Sequence, residues 1–278
     1  AVMGTEVNAT VRLLGEGMMV DQAEMLRPER DYGTLAGAIE DPVEVQLQSG
    51  LSIVTDASYQ QILYPLFTVD EVTPTGIGPY VYTFDSPDVT DLDGATFTLE
   101  GIAHDAAGNI EQFTSVYGFC TQFGLSAAFG ANFTEMTMEW VARSLVAKAP
   151  TADPGIPVRT LIPADLWTVK LAATQAGLAG ASALAGIVTG FDLTLETEYG
   201  PKHRLGGSTD LMERMLKTHK MTLKLSADLI ASIETERVNF RAGTKRFIRL
   251  AASKSANESI QIDMAGHILE PPSVGEDQ

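Results

Sequence analysis

The stretch at 132–140, NFTEMTMEW, decides the fold class. From Phe133 onward, Phe133, Glu135, Thr137 and Glu139 alternate with Thr134, Met136, Met138 and Trp140. Successive side chains of an extended chain point to opposite faces, so this is a strand with one apolar and one acidic face. The apolar face needs a core. The acidic face looks either at solvent or into a channel that carries a polyanion.

The chain around it has 278 residues, enough for one large domain or two small ones, with a core that needs no staples. A formal net charge of −17 argues against binding a nucleic-acid backbone, which requires a basic footprint. It argues equally against docking on an anionic membrane, and it makes the chain repel DNA. Cys120 is the only cysteine, which excludes an intrachain disulfide and a cysteine-rich metal site. No basic segment followed by an apolar one reads as a signal peptide. The run at 171–188 is too rich in glycine and polar residues for a membrane span.

Other segments alternate in the same way. Residues 5–13 read as a strand and 14–41 as an extended arm or loop. Residues 42–50 read as a strand, and 51–67 hold a helix stripe of Ile62, Leu63, Leu66 and Phe67. Thr55 or Asp56 is its candidate N-cap, and Pro65 belongs near its end or at a kink. Strands are expected at 95–103, 110–119, 119–129 and 133–143. A connector with four prolines spans 144–165. Strands follow at 166–173, 187–200 and 221–228, and 174–186 reads as a short helix or loop. Residues 229–243 read as a helix capped by Gly243, and 246–253 with 259–266 as a closing hairpin. This divides the chain into an N-terminal strand and arm (1–41), a β domain (42–270) and an acidic tail (271–278). The β domain has halves 42–143 and 166–270 joined by the connector. The class is mainly β, antiparallel, with one or two flanking helices, in a barrel or sandwich. The Gly-Phe openings at Gly118-Phe119 and Gly190-Phe191 begin two hairpins of similar design.

Candidate chemistry is sparse. The four histidines, His104, His203, His219 and His267, lie in or beside turns with no helical zinc spacing. There is no nucleophile elbow and no P-loop. Cys120 sits in a strand without a nearby histidine and reads as structural. The Asp-rich stretch 86–94 matches part of a calcium loop, but Val89 stands where the first ligand belongs. The pairs Glu135/Glu139 and Glu196/Glu198 run along strand faces, unlike glycosidase carboxylates across a cleft. No catalytic residue, metal ligand or cofactor is expected.

The polar faces of the long strands carry Cys120, Gln122 and Ser126; Glu135, Thr137 and Glu139; Asp192, Thr194, Glu196 and Glu198; and Thr222, Lys224, Ser226 and Asp228. Such strands in one sheet would have an apolar back, coverable by the 229–240 helix, and a mostly acidic front. Copies joined edge to edge would close a ring around that front.

Over roughly 43–265 the order and character of the elements resemble the tail tube, or major tail, proteins of long-tailed bacteriophages. The carriers are VEVQLQSGLSIVTDASYQQILYPLF, YVYTF, ATFTLEGI, YGFCTQFGLSAAFGANFTEMTMEWVAR and, after the connector, VTGFDLTLETEYG. The resemblance implies subunits in rings, usually hexameric, stacked into a hollow tube with an acidic lumen that conducts DNA during ejection. It implies lumen-facing Gln122, Glu135, Thr137, Glu139, Asp192, Thr194, Glu196, Glu198, Thr222 and Asp228, and neighbouring-ring contacts by 14–41. The partners implied are further copies of the chain, a tape measure protein, and tail terminator and distal tail proteins. DNA passes without specific binding, and no membrane is involved. The location implied is the virion tail, assembled in the host cytoplasm. The run 174–186 departs from the pattern as an insertion. The alternatives are a monomeric β-sandwich binding module, for instance for carbohydrate, or the tube protein of a contractile tail or secretion system.

Overall fold

The structure, a computed structural model, describes residues 8, 12–13, 15–26, 43–70, 72–76, 80–84, 94–104, 110–148, 151, 158–184, 187–197, 199–202, 210–211, 213–216, 219–228 and 231–270. The expected strand at 5–13, the stretch 27–42 and the acidic tail lie wholly or mostly outside them.

Strand β1 (Glu16–Leu26) pairs antiparallel with β2 (Val43–Asp56). Helix α1 (Leu63–Val69) follows, then β3 (Phe97–His104), the long β4 (Ile110–Ala128), β5 (Glu135–Ala142) and the short β6 (Val146–Ala147). A 3-10 turn (Ala164–Leu166) leads into β7 (Trp167–Ala172) and helix α2 (Gly177–Gly180). Strands β8 (Val188–Glu196), β9 (Tyr199–Lys202), β10 (Glu213–Leu216) and β11 (Lys220–Ala227) come next. Helix α3 (Ala231–Arg241) and the hairpin β12 (Arg246–Ser255) and β13 (Glu258–Gly266) complete the order.

The main sheet runs β1-β2-β5-β4-β8-β11, all antiparallel, with β3 and β6 on the outer part of β4. A second sheet runs β13-β12-β7 and a small one β10-β9. The chain is therefore mainly β and antiparallel, and among the described residues no sheet closes on itself.

The core lies between the main sheet and a layer made of the second sheet, the connector and the turn before α1. Met136, Met138 and Trp140 of β5, Phe123 and Leu125 of β4, and Phe191 and Leu193 of β8 meet Ile62, Ile162, Val169, Leu250 and Ala252. Full burial of each large side chain contributes roughly 1.5–3 kcal/mol. Aromatic edges tie the layers, with Trp167 on Phe191 at 4.9 Å and Phe97 on Trp140 at 5.6 Å between ring centroids. The back is thus covered chiefly by the second sheet and the α1 turn. The 229–240 segment, expected to serve as the lid, forms α3, whose buried Glu236 is gripped by both Arg246 nitrogens at 2.8 and 2.7 Å.

Four other expectations change. Residues 16–26 are a paired strand, because Glu16–Leu26 finds a partner in β2. The alternation of β2 continues to Asp56, so α1 starts only after Ile62, without a side-chain cap. Pro65 sits in its first turn, where the missing N–H would have no intrahelical acceptor. Residues 110–128 are one strand, bent at Tyr117, which has φ 63° and leaves β4 free to pair with β3 and β6 outward and with β5 and β8 inward.

The connector is pinned, although three of its prolines lie outside the described residues. Ala57 N–H donates to the Thr134 carbonyl at 2.7 Å, Thr134 N–H to Ile162 at 2.9 Å and Ile162 N–H to Ala57 at 3.0 Å. This closed ring of backbone bonds satisfies three buried segments where β2 ends, β5 begins and the connector passes. The 174–186 insertion finds a place too. Leu178 of α2 is fully buried, and Leu184 N–H donates to the Val169 carbonyl, so the insertion lies along β7. Gly243, at φ 61°, ends α3 as expected, with Thr244 N–H bonded to the Asn239 carbonyl.

Candidate functional site

The face of the main sheet turned away from the core holds nearly all the residues singled out in the sequence. Its order follows from the strand registers. Ser52, Glu139, Gln122, Glu196 and Lys220 form one row across β2, β5, β4, β8 and β11. Val54, Thr137, Gly124, Thr194 and Thr222 form the next. Asp56, Glu135, Ser126, Asp192 and Lys224 form the third. Strand β1 adds Met18 beside Ser52 and Glu16 beside Val54.

Nine of the ten candidate positions are described, and eight fall in these rows: Gln122, Glu135, Thr137, Glu139, Asp192, Thr194, Glu196 and Thr222. Asp228 is exposed, but it follows a register shift at Ser226/Ala227 and stands outside the rows, its N–H donating to the Ile187 carbonyl at 2.8 Å. Glu198 lies outside the described residues. Cys120, assigned to this face by alternation, is on the core side opposite Trp140. An irregularity between Cys120 and Gln122 resets the alternation there. Burial pushes the thiol well above its usual range, and it donates to the Gln122 carbonyl at 3.1 Å.

The arrangement has a definite charge pattern. Glu135 and Glu139 stand on β5, Asp192 and Glu196 on β8, and the neutral Gln122, Gly124 and Ser126 run between them on β4. With strands roughly 4.8 Å apart, the two acidic columns are about 10 Å apart, and carboxylates within a column are about 7 Å apart. These spacings are close to the Debye length of about 8–10 Å, so the charges merge into one negative field. The face's lysines, Lys220 and Lys224, both lie on β11. Lys220 bridges Glu196 at 3.5 Å. At the other side, Asp56 and Glu135 face each other directly as like charges. Gly124 leaves room for Thr137, whose hydroxyl occupies the space a side chain would need.

One end of this face is closed by a small second cluster of Tyr117, Phe119 and Leu211 against Val141. The Arg143 guanidinium lies over the Tyr117 ring at 5.2 Å, and its Nε donates to the Leu211 carbonyl at 2.8 Å. This cluster takes Phe119, expected in the main core, to the opposite side of the sheet.

Sequence reasoning missed Glu16, Ser52, Asp56 and Lys220 on this face. The signal was present for the middle pair: Ser52, Val54 and Asp56 continue the alternation that was read as ending at Gly50.

The remaining sequence candidates sit elsewhere. His267 is exposed beside the Gly243 carbonyl, and His219 is half-buried, not an exposed turn residue. The His104 side chain and His203 are outside the described residues, as are 85–93 of the Asp-rich stretch. Gly94 of that stretch is buried and receives Arg214, which donates to the carbonyls of both Gly94 and Thr68. Among the described residues, no group of three or more His, Cys, Asp or Glu side chains could hold a metal ion, and no helix is long and apolar enough to cross a membrane.

Comparison with protein-family models matches none of them to this chain, and comparison with curated proteins finds no match.

Proposed function

We propose that this chain is a structural subunit of a hollow tube of the phage tail-tube type, in which rings of copies stack and the acidic face lines the bore. What supports the reading is one observation: acidic columns on β5 and β8 flank a neutral strand, in register, on a sheet with two open edges. DNA moving through such a bore has to be held off the wall. Affinity for its backbone comes from lysine and arginine neutralising phosphates. The rows and their β1 extension carry Glu16, Asp56, Glu135, Glu139, Asp192 and Glu196 against Lys220 and Lys224, so the wall repels a polyanion. The subunit works by shape and charge, with no catalytic step and no cofactor. Its partners on this reading are other copies, a tape measure protein within the bore, and terminator and distal proteins at the ends, in the tail of a virion. The tube of a contractile tail or a secretion system has the same requirements.

A monomeric carbohydrate-binding module would present an aromatic platform. Trp140 is 2% exposed and Trp167 packs edge-on against Phe191, so neither tryptophan forms one.

Negative-stain electron microscopy of the purified chain at high concentration tests the proposal. Rings or hollow tubes are expected. A monomer at every concentration, also in the presence of preformed tube ends, would overturn it.

A further inference from the structure

We infer that the main sheet continues from one copy to the next, with β11 of one subunit lying antiparallel to β1 of its neighbour and Lys220 and Lys224 beside the neighbour's Glu16. This rests on the ring reading above and names the seam that closes the ring.

Direction comes first. The six strands β1, β2, β5, β4, β8 and β11 alternate in direction, so the outer two run oppositely. A copy placed alongside by rotation about an axis roughly parallel to the strands therefore brings its β1 antiparallel to β11. The alternation continues without a break around the ring, and a head-to-tail contact of this kind closes.

The β11 edge itself is built for pairing. Exposed edge strands are commonly blunted by proline, bulges or inward-pointing charge. Residues 220–226 of β11 have none of these, and the single register shift falls at their end. Met221, Leu223 and Leu225 extend the apolar back to the edge, where Met221 remains 42% exposed. On β1, Met19 lies on the same back side, against Gly101. Side-chain alternation restricts the seam to registers in which odd-numbered β1 residues oppose odd-numbered β11 residues. Any other register would put lysines into the apolar layer.

The front sides complement each other in charge and in shape. Both lysines of the face stand on β11, and Glu16 stands on β1. Beside Glu16, Met18 is 70% and Val20 41% exposed on the same side. Lysine stems cover apolar surface while their ammonium groups reach a carboxylate. The neighbour's Lys220 and Lys224 would thus shield Met18 and Val20 and meet Glu16.

Cysteine pairing across the seam tests this in the full chain. Thr222→Cys is combined in turn with Glu16→Cys, Met18→Cys, Val20→Cys or Gln22→Cys on the front, and with Met19→Cys on the back. Assembled protein is then mildly oxidised and run on a non-reducing gel. Disulfide-linked oligomers are expected for one or two neighbouring front positions and for none with Met19→Cys; native Cys120, being buried, is silent in the parent protein. If rings form by electron microscopy but no front pair links, the seam is wrong while the ring reading stands. If the parent chain never forms rings, the ring reading itself fails. A charge exchange gives an independent readout. Lys224→Glu and Glu16→Lys should each lose rings, and the double variant should regain them. Failure of the double variant to regain them, with its fold intact by circular dichroism, would overturn the pairing.

Discussion

The indole N–H of Trp167 donates to the Thr134 hydroxyl at 2.7 Å, from the first residue of β7 to the residue just before β5. Thr134 is fully buried and belongs to the backbone ring that joins Ala57 and Ile162. The bond therefore locks the second layer to the main sheet where three segments cross. Trp167→Phe removes the donor, keeps an aromatic ring against Phe191, and strands a buried hydroxyl. A loss of roughly 1–3 kcal/mol is expected. Urea unfolding checks it, with the midpoint falling and the slope unchanged.

Leu193 carries the largest packing prediction. It is 2% exposed and lies between Leu125 and Leu223 in register on the core side of β8. Leu193→Ala should cost about 2–5 kcal/mol through lost transfer energy and an unfilled cavity. Because Thr194 beside it belongs to the polar rows, a collapsed back would also disturb the front. Thermal unfolding should therefore show a lowered midpoint, and ring formation should weaken at the same time. A midpoint shift of under a degree would mean that the site is not packed as described.

Cys120 gives a pH prediction. Burial raises its pKa above the model value of 9.0. Below pH 9.0 both the folded and the unfolded chain hold the proton, so the group's full contribution to stability is present. As pH rises past that value the unfolded chain releases the proton while the folded chain keeps it, and stability falls by up to ~1.4 kcal/mol per pH unit. Tyr59 and Tyr64, raised by desolvation, act in the same direction above pH 10.0. Cys120→Ala should flatten the decline between those two onsets. The native thiol should also resist alkylation until the chain is unfolded.

How much of this was legible in the sequence depends on how far each signal is local. Strict alternation in 133–140, 187–196 and 221–227 is local, and it placed eight of the face residues correctly. The irregularity at Cys120 and the bend at Tyr117 depend on which strands pair on either side, and neither residue type announces it. The order β5-β4-β8-β11 sets the two Gly-Phe hairpins side by side, whereas the cover of the back by β12 and β7 comes from distant segments. A helix stripe at 229–240 looked sufficient for that role. Its Glu236 pairs with Arg246, which spacing within the helix could not reveal. The ring, the bore and the passage of DNA follow from resemblance and charge, and rest on the experiments above.

Asp56 and Glu135 face each other on β2 and β5, both exposed. Like charges directly opposite in a sheet oppose pairing by roughly 0.2–1 kcal/mol. Asp56→Asn should therefore raise stability by about that amount at low salt, and the gain should shrink as salt screens the pair. An unchanged gain at high salt would point to a steric cause instead. The natural chain keeps an unfavourable pair at the end of its acidic rows, which suits a surface selected for field over stability.

The acidic field itself can be inverted. Glu135, Glu139, Asp192 and Glu196 are on exposed or partly exposed strand faces, away from the core cluster, so changing all four to Lys should leave the fold intact. The parent chain should not bind double-stranded DNA even at low salt. The fourfold variant presents four new cations in two columns, next to Lys220 and Lys224 on β11. It should bind, and its affinity should fall about a hundredfold between about 50 and about 200 mM salt if roughly four phosphates are contacted. Fluorescence anisotropy with a short duplex measures both. In an assembled tube the same changes should slow DNA ejection, since a wall that holds phosphates becomes a brake. Binding by the parent chain, or normal ejection through a lysine-lined tube, would remove this face from the bore.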